Sequence, residues 1–150
     1  MRVVIQRVSH AEVEIDGKTF SSIGHGLMVL AGVSEEDNTE DIEWLAAKIV
    51  NLRIFPDEAG VMNKSLLDIE GEIMVVSQFT LMARTRKGHR PSYIDAARPE
   101  ISVPVYEAFV KEISKYITSG VKTGVFGADM NISMCNLGPT TICIDTKRRE

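Results

Sequence analysis

The most constraining stretch of this chain is Leu27 to Val33, a continuous apolar run introduced by Gly24-His25-Gly26. A run of that length beside a glycine turn reads as a central strand buried on both faces. Other strands are legible around it. Val3 to Ile15 is rich in β-branched residues, and its second half alternates. Ala11, Val13 and Ile15 fall on one face and His10, Glu12 and Glu14 on the other, so one side is wet. Asp16-Gly17 predicts a hairpin, because glycine accepts positive φ cheaply, with a return strand over Lys18 to Ile23. Glu70-Gly71 is a turn before an apolar strand from Ile73 to Phe79. Val121 to Phe126, Ile132 to Asn136 and Thr140 to Ile144 also read as strands, with Gly138-Pro139 interrupting the last two.

Two helices separate these runs. Ile42, Leu45, Ala46, Ile49 and Val50 repeat at helical spacing, with Ser34 and Thr39 as candidate caps. That helix should end before Phe55-Pro56, since the residue preceding proline disfavours helix. Asp57 to Gly60 is expected to be a loop. Val105, Phe109, Ile113, Tyr116 and Ile117 form a second stripe. Pro104 suits its first turn and Gly120 its C-terminal cap. Strands in runs with helices between them predict an α+β fold. Its sheet would be mixed, mostly antiparallel and open to closing as a barrel, covered by two helices. No repeat or linker divides residues 1–150, and a chain of 150 residues buries roughly 70% of its unfolded surface, so one domain is expected.

Charge and cysteine content narrow the function classes. The formal net charge of −4 excludes coating nucleic acid by bulk charge but leaves room for a local basic patch. Cys135 and Cys143 make neither a CxxC pair nor a disulfide framework; two reduced, buried thiols in a cytoplasmic protein are expected. Arg2 and Arg7 bracket too few residues for a signal peptide's apolar core. No window approaches the ~18 apolar residues of a membrane helix. GxSxG, HExxH, a phosphate-binding loop and a dinucleotide fingerprint are all absent, and His10, His25 and His89 have no carboxylate or thiol at a motif spacing. An enzyme built from this chain is expected to work without a histidine base, metal or cofactor. Trp44 should be partly buried, and the methionines mostly core filler.

Three segments hold the remaining polar chemistry. Ser77-Gln78-Phe79-Thr80-Leu81 ends an apolar strand, where side chains can line a site and backbone N–H groups can hold an oxyanion. From chemistry alone, a strand edge whose hydroxyls merely satisfy the turn is the simpler reading. Asn136-Leu137-Gly138-Pro139-Thr140-Thr141 contains a Gly-Pro step, which can be cis at modest cost. A cis step would aim its carbonyls one way and form a wall, though a plain turn or bulge is the common use of Gly-Pro. Arg84, Arg86, Lys87 and Arg90 crowd one short loop, joined by the basic tail Lys147 to Arg149. They suit phosphate contact or a solvated surface, with Asp95 and Glu100 near enough to neutralise them.

The motifs SQFTL at 77–81 and NLGPTT at 136–141 together resemble the D-aminoacyl-tRNA deacylases. So do the opening MRVVIQRV, the stretch KGHRPSY at 87–93 and FGADM at 126–130, and the likeness spans the chain in order. The resemblance implies a homodimer that hydrolyses the ester joining a D-amino acid, or glycine misloaded on alanine tRNA, to the tRNA 3′ end. Ser77, Gln78, Phe79 and Thr80 would line the reaction centre. Gly138 and Pro139 would be a cis step lent to the partner's pocket, where it binds the substrate amine and blocks an L side chain. Arg7 would help hold the Gly-Pro carbonyls. Phe126, Gly127 and Met130 would wall the terminal adenosine, and Arg84, Arg86 and Lys87 would contact tRNA. Leu137 and Thr140 depart from the family pattern, which often has Asp after the Asn and a small apolar residue after the Pro. A non-catalytic nucleic-acid-binding homodimer is the alternative from another class.

Overall fold

The computed structural model describes residues 1–149. In chain order its elements are β1 (Arg2–Ile15), β2 (Lys18–Ile23), β3 (Gly26–Gly32), α1 (Thr39–Asn51), β4 (Phe55–Pro56), β5 (Met62–Lys64), β6 (Glu72–Ser77), a 3-10 turn (Phe79–Met82), α2 (Pro99–Ser114), β7 (Val121–Thr123) and β8 (Asn131–Asp145). β1 is the spine. It turns into β2 through Asp16 and Gly17, whose φ values of 52° and 73° are both positive. Asp and Gly tolerate that region, so this dipeptide closes the hairpin. One end of β1 pairs antiparallel with β3, the other with β2, and β8 runs antiparallel along it. β3 pairs parallel with β6, and β6 parallel with β7. The Ser21 hydroxyl donates to the Thr123 carbonyl at 2.6 Å, which brings β2 against β7 and nearly closes the sheet as a barrel. The α+β class and mixed sheet thus match the sequence pattern.

The predicted central strand is central because both its edges and both its faces are used. The core on one face joins Val3, Ile5, Leu27, Val29, Ile73 and Val75 to the apolar stripes of α1 and α2. The other face buries Val8, Val13, Met28, Met74 and Val76. Met28 and Met74 are core filler as expected, and Trp44 is half-buried with the Arg149 guanidinium 4.6 Å from its ring centre.

Several local expectations need correction. Asn38, not Ser34 or Thr39, caps α1. Its Oδ1 accepts from the Asp41 N–H at 3.2 Å, and the Asp41 carboxylate accepts from the Asn38 N–H at 3.1 Å, a reciprocal capping box. Pro99, not Pro104, fills the first turn of α2, where an N–H has no helical partner. Pro104 lies inside the helix on an exposed face, where water can reach the carbonyl it leaves unbonded. α2 stops at Ser114, several residues before Gly120, which takes a φ of 82° after a further turn. The Asp57–Gly60 loop is the tip of a small hairpin, β4 with β5. The strand from Val121 ends at Thr123. At Gly124 a Cβ would lie 2.3 Å from the Met130 sulfur, so the chain leaves the sheet there with Met130 folded against it. Cys135 and Cys143 are exposed, not buried, because β8 is an edge strand and alternation turns them to its open face.

Candidate active site

The parallel strands β3 and β6 end side by side, with Ala31 opposite Ser77. Beyond these carboxyl ends opens a cleft of about 540 Å³. Open sheets bind ligands in this position, outside the ends of parallel strands. Ser77, Gln78 and Phe79 form one wall, Ser102 and Tyr106 of α2 a second, and Phe126, Gly127, Asp129 and Met130 a third. The strand-end motif and the FGADM segment, distant in sequence, therefore converge. Thr80 stands next to the lining without belonging to it.

The chain beyond β6 owes its course to a close approach. The Gln78 N–H donates to the Ala31 carbonyl at 2.7 Å. A Cβ on Gly32 would lie 2.9 Å from the Gln78 carbonyl oxygen, so only glycine lets the chain cross the end of β3 there. The chain then coils into the 3-10 turn, with Leu81 N–H donating to the Gln78 carbonyl at 3.2 Å and Ala83 N–H to that of Thr80 at 3.1 Å. The Arg2 guanidinium donates to the Leu81 carbonyl at 2.7 Å and to the Asp145 carboxylate at 3.0 Å. At the start of the turn the Phe79 and Thr80 N–H groups have no acceptor among the described residues. Such orphan donors are inherent to a helical first turn and suit an oxyanion. The Gln78 side-chain amide donates to the Thr80 hydroxyl oxygen at 2.5 Å.

The cleft is poor in ionisable groups. Tyr106 donates its hydroxyl to the Val75 carbonyl at 2.7 Å, and burial pushes its phenol up to about 12. It is a protonated donor at neutral pH and no general base. Asp129 is the one carboxylate in the lining. The histidines lie elsewhere: His10 beside Ser9, and His25 stacked edge-on against Phe55. Among the described residues no group of His, Cys, Asp and Glu could hold a metal ion.

Gly138 and Pro139 are not in this cleft. β8 is one strand rather than two, and the step leaves it as a bulge. Gln6 pairs with Thr141 and Val8 with Asn136, so Arg7 alone faces residues 137–140. The Gly138–Pro139 peptide is cis, both residues are exposed, and a Cβ on Gly138 would meet nothing within 4 Å. Arg7 does lie beneath the bulge, but it donates to the Leu137 carbonyl at 3.3 Å and to the Ile54 carbonyl, not to those of Gly138 or Pro139. It anchors the root of the step. Thr140 is buried, and Leu137 is half-buried.

The basic segments divide. Arg84 is committed to Asp95 through both its Nε and Nη2, and its backbone pairs in both directions with Ser92. Arg86, Lys87 and Arg90 are exposed, with no internal partner among the described residues. Two of the three tail cations are neutralised: Lys147 pairs with Asp41 at 2.6 Å and Arg149 with Glu40 at 3.1 Å, while Arg148 is exposed. Sequence reasoning missed Ser102 and Tyr106. Both lie on the buried stripe 102, 106, 109 and 113; the predicted stripe held Phe109 and Ile113 but took half-buried Val105 in place of Tyr106 and did not extend back to Ser102.

Fold and cleft together define a small α+β protein with a ligand-sized cleft beyond the ends of two parallel strands. The family model described as D-Tyr-tRNA(Tyr) deacylase matches residues 4–145, and the chain belongs to that family. The D-aminoacyl-tRNA deacylase of Bacteroides thetaiotaomicron is 61% identical over 150 residues, all of both chains, and that of Bacteroides fragilis is 63% identical over the same span. The solved structure of a c-Myc DNA Unwinding Element Binding Protein superposes with a TM-score of 0.92 at 40% identity, covering 97% of this chain and 98% of that one. One of a probable eukaryotic D-amino acid tRNA deacylase gives 0.79 at 18% identity over 95% and 97%, a likeness of fold.

Proposed function

We propose that the chain, as a cytoplasmic homodimer, hydrolyses the ester between a D-amino acid and the 3′-terminal ribose of tRNA. The observation that carries this reading is the pair of N–H groups without an acceptor among the described residues, on Phe79 in the cleft wall and on Thr80 beside it. An aminoacyl ester is already activated, so a strong nucleophile is not required. Water adds to the carbonyl carbon, and the developing oxyanion is held by these two donors. The bond to the 3′ oxygen then breaks, and the proton from water reaches that oxygen by way of the neighbouring ribose 2′-hydroxyl. Phe126, Gly127 and Met130 hold the adenosine, which positions the 2′-hydroxyl for this transfer. Thr80 is a poor rival nucleophile: its oxygen accepts from an amide donor, and no base stands ready to take its proton.

Chirality in this reading is judged by main chain. Gly138 and Pro139 project from one protomer into the cleft of the other, bind the substrate amine through their carbonyls and leave an L side chain no room. The exposure of the bulge and its absence from the lining of its own protomer's cleft favour a lent role. Glycine, having no side chain, passes the same wall, so glycyl-tRNA(Ala) is also a substrate. Arg86 and Lys87 meet tRNA phosphates, with Arg84 bracing their loop.

The test is turnover of D-Tyr-tRNA and L-Tyr-tRNA, followed by release of amino acid. Selective, catalytic loss of the D ester is expected. Stoichiometric binding without release would instead favour a nucleic-acid-binding dimer, the kind of role for which the 40%-identical protein is named.

A further inference from the structure

Phe79 is 56% exposed and Tyr93 39% exposed, and their rings meet edge to face with centroids 5.0 Å apart. Half-wet aromatic rings at the mouth of a cleft commonly serve binding. Phe79 itself lines the cleft, so the pair forms a step continuous with it. Tyr93 directly follows Ser92, which closes the 84–92 hairpin through backbone bonds of 2.8 and 3.0 Å to Arg84. Arg86, Lys87 and Arg90 project from that hairpin without internal partners among the described residues. An apolar ring step bordered by uncommitted cations matches single-stranded nucleic acid, whose bases have π faces and whose backbone is anionic.

We propose that Phe79 and Tyr93 form a stacking platform for the unpaired nucleotides that precede the terminal adenosine of the bound tRNA, whose phosphates face Arg86, Lys87 and Arg90. The identity of the RNA rests on the deacylase reading above. Stacking tolerates any base, so this grip serves an enzyme that meets many tRNAs through one common single-stranded end.

The test compares D-Tyr-tRNA with 3′-O-(D-tyrosyl)adenosine, which lacks the upstream nucleotides. Tyr93→Leu is expected to lower kcat/KM on the tRNA about 5- to 100-fold, mainly through KM, with a much smaller loss on the adenosine ester. Tyr93→Phe, which keeps the ring, should retain the parent's preference for tRNA. Equal losses on both esters, or no loss on tRNA, overturn the platform. A hairpin RNA with an unpaired CCA end and 2-aminopurine at the penultimate position provides a direct readout. Its fluorescence should be quenched on binding the parent and less quenched by Tyr93→Leu. If Tyr93→Leu instead dissociates an oligomer in sedimentation, the rings are covered by a second copy and the platform falls. Absence of turnover by the parent on either ester strikes the deacylase reading, while the fluorescence readout still judges the platform.

Discussion

At the scale of single residues, the proposed reaction depends on backbone atoms that mutation rarely reaches. Proline reaches one of them. Gln78 has φ −146° and ψ 83°, outside the α region that a following proline disfavours, and Phe79 is the first residue of the turn, where proline is tolerated. Phe79→Pro therefore deletes one oxyanion donor with little strain, and should lower kcat on a D-aminoacyl-tRNA by about 10²–10³. Phe79→Ala keeps the donor and isolates the loss of the ring; a proline variant no slower than this alanine control would remove the N–H from the mechanism. Thr80→Ala should slow hydrolysis without abolishing it, because in the proposed mechanism the hydroxyl that accepts from Gln78 is not the nucleophile. Capture of an acyl group on Thr80 by mass spectrometry during turnover would reverse that assignment.

At the scale of elements, α1 is tied to the C-terminal tail through Asp41. Burial opposes ionisation of this carboxyl, but the Lys147 ammonium, the Asn38 N–H and the Thr146 hydroxyl outweigh it and hold its pKa below the usual value. A depressed folded pKa contributes stability that is fully present above the unfolded value, about pH 4, and is lost as pH falls through the folded pKa. Lys147→Met should lower stability at neutral pH and shrink the acid loss, so that the two proteins converge as pH falls below about 4. Urea midpoints measured between about pH 3 and pH 7 check this, and superimposable curves for the two proteins would refute it. The capping box that positions Asp41 was not legible, since Ser34, Asn38 and Thr39 are all acceptable caps and only tertiary packing chooses among them. Period and turn chemistry did predict β2, the double burial of β3 and an end to α1 before Phe55-Pro56. They could not predict the cleft. Its walls come from β6, α2 and the 126–130 loop, and only the parallel β3–β6–β7 order brings these together. The SQFTL and FGADM segments were found by resemblance, which needs no knowledge of that order. Tyr106 belongs to no such motif and was missed.

At the scale of the molecule, the proposed lending of the Gly138–Pro139 step would make each reaction centre a composite of two chains. A Cβ on Gly138 meets nothing within its own protomer, so Gly138→Ala should fold and stay as stable as the parent. Its activity should nevertheless collapse, because the added methyl enters the partner's cleft. Phe79→Pro fails for the opposite reason, in the chain that owns the cleft. In a closed two-fold dimer, a mixed pair holds one centre with both defects and one with neither. Co-refolding the two weak variants in equal amounts should therefore restore activity to about a quarter of the parent's level, since half of the randomly formed dimers are mixed and each has one sound centre. The measurement is D-aminoacyl-tRNA hydrolysis by the mixture against each variant refolded alone. A mixture no faster than the mean of its components would mean that every chain judges chirality with its own residues, and the bulge of β8 would lose its part in the reaction.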